Sequence, residues 1–167
     1  MSSKKEPFLR FLVKAVAMSA VFGAGAFYLT SRYSIGIDAQ EHTCLPWRVF
    51  VIDKQDKSVT RGEIYAFSAQ KMEPFFPKGT QIIKVADGIP GDIVKVGPEA
   101  VTVNGSSVGE GLALSEKLKK PATRYVRQEI VPQEKFWFMG RTLDSFDSRY
   151  WGYVDAKDVL GKAYPLW

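Results

Sequence analysis

Lys84 and Cys44 are the two residues of this sequence whose chemical types and positions could support covalent catalysis. Lys84 follows two isoleucines in residues 81–96 (QIIKVADGIPGDIVKV), where an apolar strand is predicted to end at the turn residues 88–92. A lysine at the apolar edge of a sheet loses the hydration that favours its ammonium form, so its neutral amine could serve as a general base. The alternative is a lysine that extends from a strand edge into water, and this stretch alone favours that alternative.

Cys44 is the only cysteine of the chain, so it has no partner for an internal disulfide, and a cysteine-based metal cluster is excluded. Its thiol could be an inert side chain of the core, one half of an intermolecular disulfide, or a nucleophile. In a compartment that forms disulfides an unpaired thiol is exposed to oxidation, which favours a functional role over inert packing. We expect no cofactor and no metal.

The composition predicts one globular domain preceded by a basic, apolar segment. The chain has 167 residues, of which 46% are hydrophobic, enough to form a core. Its formal net charge is +5, and the first thirty residues contribute +3 of it, from Lys4, Lys5, Arg10 and Lys14 against Glu6. The remainder is nearly balanced, so we do not expect a nucleic-acid surface.

Residues 15–30 (AVAMSAVFGAGAFYLT) carry no charge, and residues 11–13 extend this apolar stretch beyond Lys14. The pattern predicts a transmembrane helix whose basic N-terminal side stays in the cytoplasm. A cleavable signal peptide is the alternative, because Ala24-Gly25-Ala26 has the small-x-small form of a processing site. We therefore expect a cytoplasmic tip and anchor, or signal segment, in residues 1–30 and an extracytoplasmic domain in residues 31–167.

The domain is predicted to be mainly β. Short apolar or alternating runs separated by turn residues predict strands at residues 49–52, 64–67, 82–84, 93–96, 101–103, 136–139 and 150–154. Asn104-Gly105 predicts a hairpin turn. Residues 31–41 are predicted to be a polar connection, residues 110–127 a surface insertion with a short helix near residues 112–119, and residues 140–149 a polar loop.

Several motifs follow the predicted anchor, and in chain order they are Arg61-Gly62-Glu63-Ile64, Ile83-Lys84, Gly88-Ile89-Pro90-Gly91-Asp92, Val103-Asn104-Gly105, Phe138-Met139-Gly140 and Ser145-Phe146-Asp147-Ser148-Arg149-Tyr150-Trp151-Gly152. Together and in this order they resemble the sequence boxes of type I signal peptidases (peptidase S26). The resemblance implies a β-rich domain of the LexA/signal peptidase type on the outer side of a membrane. It also implies that Lys84 is the general base, which reverses the interpretation of Lys84 as a solvated lysine.

The resemblance further implies that Ser145 orients Lys84 and that Asp147 and Arg149 form a supporting ion pair. The sequence departs from the family at the nucleophile, because Cys44-Leu45-Pro46 has cysteine where the family has serine. This form, with a compact domain and the ending Gly161-Lys162-Ala163-Tyr164-Pro165-Leu166-Trp167, looks most like the TraF/TrhF branch, whose members mature conjugative pilins and in some cases join the pilin ends. The implied location is the bacterial inner membrane, with the domain in the periplasm.

The expected mechanism has Lys84 remove the proton of Cys44 as the thiol attacks a substrate carbonyl. The Cys44 backbone N–H and a second donor from His42 or Thr43 would hold the oxyanion. A Cys44–His42 dyad is a less favoured route, because side chains two positions apart on an extended segment project in parallel.

The expected partners are the membrane, other pilus assembly proteins and a pilin or preprotein substrate bound as an added strand. Two further hypotheses stay open, a general signal peptidase of secreted preproteins and a non-catalytic assembly protein.

Overall fold

An N-terminal helix precedes the folded domain in the computed structural model, which describes residues 7–167. Lys4 and Lys5 of the predicted cytoplasmic tip lie outside the described residues. Helix α1 (Phe8–Arg32) buries none of its 25 residues, and its length and composition are sufficient to cross a membrane. A signal sequence has the same features, so α1 fits both alternatives that the sequence leaves open.

Within residues 7–167 eleven strands form two antiparallel sheets, so the prediction of a mainly β domain is confirmed. The larger sheet has the order β1-β2-β11-β3-β4-β9-β10. Its strands are β1 (Tyr33–Ile37), β2 (Val49–Asp53), β3 (Ile64–Ser68), β4 (Gln81–Gly88), β9 (Lys135–Met139), β10 (Val154–Asp155) and β11 (Val159–Pro165). The smaller sheet has the order β7-β6-β5-β8, with β5 (Ile93–Val96), β6 (Ala100–Val103), β7 (Ser106–Glu110) and β8 (Arg127–Ile130).

The turn after the lysine strand carries the chain from one sheet to the other. The tight turn that the sequence predicts is present and is closed by a 3.0 Å hydrogen bond from the Asp92 backbone N–H to the Ile89 carbonyl. β4 pairs with β3 and β9, whereas β5 pairs with β6 and β8, so this turn does not bring β5 back against β4. Asp92 fixes this turn by accepting hydrogen bonds from the backbone N–H of Ile89 and from the side chains of Asn104 and Arg61. Desolvation acts to raise the pKa of Asp92, but these hydrogen bonds outweigh it and hold the pKa below its ordinary value.

The predicted hairpin at Asn104-Gly105 is confirmed. It joins β6 to β7, and both turn residues have positive φ angles, of 50° and 84°, as a type I′ turn requires. The strands predicted at residues 49–52, 64–67, 93–96, 101–103 and 136–139 are also present as β2, β3, β5, β6 and β9.

Three local predictions are wrong. The polar connection after the anchor contains β1, because residues 33–37 pair in register with β2. Residues 112–119 form turns and no α-helix, and Leu112 and Leu114 are buried, so this segment contributes to the core instead of covering the surface. Tyr150 and Trp151 lie in a short helix, α2 (Ser148–Trp151), which Asp147 caps by accepting a hydrogen bond from the Arg149 backbone N–H.

Among the described residues three apolar clusters hold the sheets together. One is centred on Tyr65, Phe67 and Phe138 of the larger sheet, and a second joins the smaller sheet to Trp137 and Met139 of β9. The third contains Cys44 and packs it against β2, β3 and β4. Two single 3-10 turns, Ala122–Arg124 and Ala156–Asp158, complete the described structure.

Candidate active site

Cys44 lies in an irregular segment between β1 and β2 and is 9% exposed. Its backbone carbonyl accepts a hydrogen bond of 2.7 Å from the backbone N–H of Arg141, which follows β9. Arg48 donates to the carbonyls of Gln40 and Glu41 and so closes the segment on itself. Contacts at both ends therefore fix the position of the thiol.

Lys84 lies in the middle of β4, opposite Tyr65 of β3, and its side chain enters the protein interior. The residue is 2% exposed. Its Nζ atom lies 3.2 Å from Cys44 Sγ and donates a hydrogen bond of 2.9 Å to Ser145 Oγ. Within residues 7–167 no carboxylate forms an ion pair with this amine, so its polar partners are one thiol and one hydroxyl.

Ser145 is carried by the loop that follows β9, and Gly140 allows this loop to approach Cys44. A Cβ atom at Gly140 would lie 2.1 Å from Ser145 Oγ, 2.6 Å from Ser145 Cβ and 3.0 Å from Cys44 Cβ. Real Cβ atoms essentially never show the two shorter distances, and the third is tighter than most real contacts. Residue 140 therefore has to lack a side chain for the serine, the cysteine and the lysine to meet.

Asp147 and Arg149 form a buried ion pair behind Ser145, and neither is more than 1% exposed. Arg149 also donates to the carbonyls of Ser145, Thr142 and Glu110, so one side chain fastens the serine loop to β7. Desolvation acts to lower the pKa of Arg149, but the hydrogen bond to Asp147 and its charge raise the pKa above its ordinary value. The guanidinium therefore stays charged.

Asp87 and Arg141 form a second ion pair near the thiol, which the sequence analysis did not identify. The Arg141 guanidinium donates to both carboxylate oxygens of Asp87, three positions after Lys84 on β4. The burial of Asp87 raises the pKa of its carboxyl group, against the opposing effect of Arg141. No sequence motif marks this pair, because Asp87 and Arg141 are 54 positions apart along the chain.

Two clefts meet at Cys44 and Lys84. The first has a volume of about 330 Å³ and lies between residues 37–40 and residues 80–84. The second has a volume of about 390 Å³, and its walls include the aromatic rings of Phe75, Phe76 and Phe146. Cys44 and Lys84 line both clefts, so an extended chain that passes from one cleft to the other would pass the thiol.

The two side chains predicted to assist at the oxyanion are less buried. His42 is exposed and lines the second cleft, and Thr43 is half-buried. Within the described part of the chain neither side chain forms a hydrogen bond with Cys44, and the Cys44 backbone N–H has no hydrogen-bond partner. The described residues contain no group of three or more potential metal ligands among histidine, cysteine and acidic side chains.

The comparisons with known proteins point to one family. The family model for signal peptidase, peptidase S26, matches residues 8–167. "Probable signal peptidase I-2" of Synechocystis is 34% identical over 108 residues, which cover 62% of this chain and 46% of that protein. "Signal peptidase IB" of Staphylococcus aureus is 24% identical over 183 residues, which cover 98% and 91% of the two chains.

A crystal structure of a signal peptidase I from Enterococcus faecalis is 25% identical and has a TM-score of 0.43, covering 64% of this chain and 97% of that one. The chain spans less than half the length of the Synechocystis protein and 12% of the length of the Buchnera signal peptidase I that it matches at 51% identity over 39 residues.

Proposed function

The chain belongs to the signal peptidase family, peptidase S26, and we propose that it is a membrane-anchored peptidase in which Cys44 is the nucleophile and Lys84 the general base. One observation carries this proposal. The Lys84 amine is buried, has no carboxylate partner within residues 7–167, and lies 3.2 Å from the thiol sulfur. At this separation the amine can take the thiol proton as the sulfur attacks a carbonyl carbon.

The reaction begins when Lys84 Nζ takes the thiol proton and Cys44 Sγ attacks the carbonyl carbon of the scissile peptide bond. The tetrahedral oxyanion accepts a hydrogen bond from the Cys44 backbone N–H, and His42 or Thr43 supplies a second donor. Lys84 then gives its proton to the leaving amine, and an acyl thioester remains on Cys44. Water, activated by the same amine, releases the acyl group and restores the thiol.

Ser145, Asp147 and Arg149 act as positioning residues in this scheme. Ser145 Oγ accepts a hydrogen bond from Lys84 Nζ and so holds the amine in place. In this position the nitrogen lies 3.2 Å from Cys44 Sγ. Arg149 holds the Ser145 carbonyl, and Asp147 holds Arg149. The positions of these groups support the roles that the family resemblance assigns to them.

We propose that the substrate binds as a strand added to β4. Residues 81–84 of β4 pair with β3 alone, because the pairing with β9 begins at Val85. Ala86 exchanges hydrogen bonds with Gly62 and Glu63, on the side of β4 that faces β3. By the alternation of an antiparallel strand, the backbone groups of Gln81 and Ile83 face the open edge, where the first cleft lies.

We propose a conjugative pilin precursor as the substrate. The likeness of the Cys44-Leu45-Pro46 box, the compact domain and residues 161–167 to the TraF/TrhF branch supports this. A thioester is opened by an amine more readily than an ester is, so the acyl group could be transferred to the pilin N-terminus and close a circle. A general signal peptidase is the second candidate, and the names of the matched relatives favour it.

We place the protein in the bacterial inner membrane, with its N-terminus in the cytoplasm and the peptidase domain in the periplasm. The exposed apolar helix α1 supports an anchor, and the basic residues before it support this orientation. Protease added to intact spheroplasts should degrade the domain, whereas protection of the domain until the membrane is lysed would contradict the orientation.

Purified full-length protein and pilin precursor, mixed in detergent, test the activity. The wild-type protein should convert the precursor, Cys44→Ala and Lys84→Ala should abolish conversion, and Lys78→Ala, which changes an exposed lysine before β4, should leave it intact. No conversion by the wild-type protein would favour a non-catalytic assembly protein, and conversion by Cys44→Ala or Lys84→Ala at the wild-type rate would contradict the proposed roles of these two residues.

The product mass separates the remaining alternatives. A product lighter by one water than the processed linear chain demonstrates cyclisation, and a linear product alone contradicts it. Cleavage of several unrelated secreted precursors at comparable rates would identify a general signal peptidase instead.

A further inference from the structure

The Cys44 thiol and the Lys84 amine lie 3.2 Å apart in a chain that has no second cysteine. We propose that this pair is a redox modification site, at which peroxide converts the two side chains into a reversible sulfur–nitrogen (sulfenamide) cross-link. The inference rests on the positions of the two atoms and not on the peptidase activity. A negative cleavage assay would therefore leave it intact.

The geometry limits what an oxidised Cys44 can react with. The residue lines both clefts, so a molecule as small as hydrogen peroxide can reach its sulfur. A sulfenic acid normally condenses with a thiol or with a nitrogen. Because the chain contains no other thiol, the nearest side-chain nucleophile is Lys84 Nζ, which Ser145 Oγ holds in place at 2.9 Å.

The cross-link forms in two balanced steps. The Cys44 sulfur attacks one peroxide oxygen, the O–O bond breaks, and the products are a sulfenic acid and one water; sulfur is oxidised by two electrons and the peroxide is reduced. The Lys84 nitrogen then attacks the sulfur, an S–N bond forms, and the S–O bond breaks. The departing hydroxide takes one proton from the amine and leaves as a second water.

A small thiol reverses the modification. Its sulfur attacks the Cys44 sulfur, the S–N bond breaks, and the amine takes up the proton, leaving a mixed disulfide. A second thiol then releases Cys44 as a free thiol. The cross-link would occupy the proposed nucleophile and base together, and it would prevent irreversible oxidation of the sulfur to the sulfinic acid.

Mass spectrometry of the full-length protein tests the proposal. After treatment with hydrogen peroxide, the intact mass should fall by two hydrogen atoms, and digestion should give one species that joins the peptides containing Cys44 and Lys84. Dithiothreitol should restore the original mass and separate the two peptides.

Variants and alternative products decide the outcome. Lys84→Ala should yield only oxygen-bearing forms of Cys44, whereas Lys78→Ala should form the cross-link as the wild-type protein does. The proposal is overturned if the wild-type protein gains one, two or three oxygen atoms without a cross-link. It is also overturned if the sulfur is bonded to the backbone nitrogen after Cys44, which digestion would reveal as a modification within one peptide.

Discussion

Replacing Gly140 by alanine should impair the proposed reaction through a single added methyl group. The new Cβ atom would lie 2.1 Å from Ser145 Oγ, whereas an ordinary contact begins near 3.4 Å. Ser145 would therefore have to move by more than about 1 Å, and its 2.9 Å hydrogen bond with Lys84 would be broken. Loss of this hydrogen bond should cost about tenfold, and the added methyl group would also crowd the Cβ atom of the proposed nucleophile Cys44 at 3.0 Å, so we expect kcat/KM to fall by about 10- to 10²-fold.

Stability should change less than activity in this variant. Overpacking of a buried site costs about 1–3 kcal/mol, and Gly140 is not at a positive φ angle, so an alanine backbone is tolerated. The assay is the cleavage rate of the precursor that the wild-type protein processes, measured beside urea unfolding.

Gly109→Ala is a matched control, because its Cβ would meet only the flexible end of Met139. A folded Gly140→Ala variant that cleaves the precursor as fast as Gly109→Ala would refute the reasoning.

Three other variants test the parts of the site separately. Ser145→Ala removes the hydroxyl that accepts from Lys84, so kcat should fall about tenfold with an unchanged KM, and an unchanged kcat would contradict its positioning role. Asp147→Asn leaves the Arg149 charge buried without its partner and should reduce the free energy of unfolding by about 3–5 kcal/mol. The double variant Asp147→Asn/Arg149→Met should lose less free energy of unfolding than Asp147→Asn alone. An equal or larger loss, measured by urea unfolding, would show that the unpaired charge of Arg149 is not the cause of the instability. The depressed pKa of Asp92 means that its hydrogen bonds stabilise the fold above about pH 3.8, the ordinary value, and that this stability is lost as the pH falls below it. The difference in unfolding free energy between the wild-type protein and Asp92→Asn should therefore shrink in that acidic range and stay constant above it.

Local sequence patterns were sufficient to predict where most of the strands and one hairpin turn lie. Alternating apolar residues and turn dipeptides identified most of the strands and the Asn104-Gly105 hairpin, because both signals act between near neighbours. The partners of each strand were not predictable in the same way. Residues 88–92 have the composition of a hairpin turn, yet they connect two sheets, because β9 occupies the edge of β4 on which a returning strand would have paired.

The site shows the same division between local and long-range information. The family motifs indicated Cys44, Lys84 and Ser145, and the structure brings these three side chains together. The contact between Asp87 and Arg141 was missed, because it depends on how β9 lies beside β4 and no motif encodes it. A single sequence does not reveal such a pair, since surface arginines and aspartates are common.

The smaller sheet contributes to the site although none of its strands carries the thiol or the amine. Arg149 donates to the Glu110 carbonyl at the end of β7, and Arg127, the first residue of β8, donates to the carbonyls of Ser148 and Arg149. The segment that carries Ser145 is therefore held from behind by two strands of this sheet. Because Ser145 in turn holds the Lys84 amine, loosening β7 or β8 would alter the distance between the amine and the thiol without touching either residue.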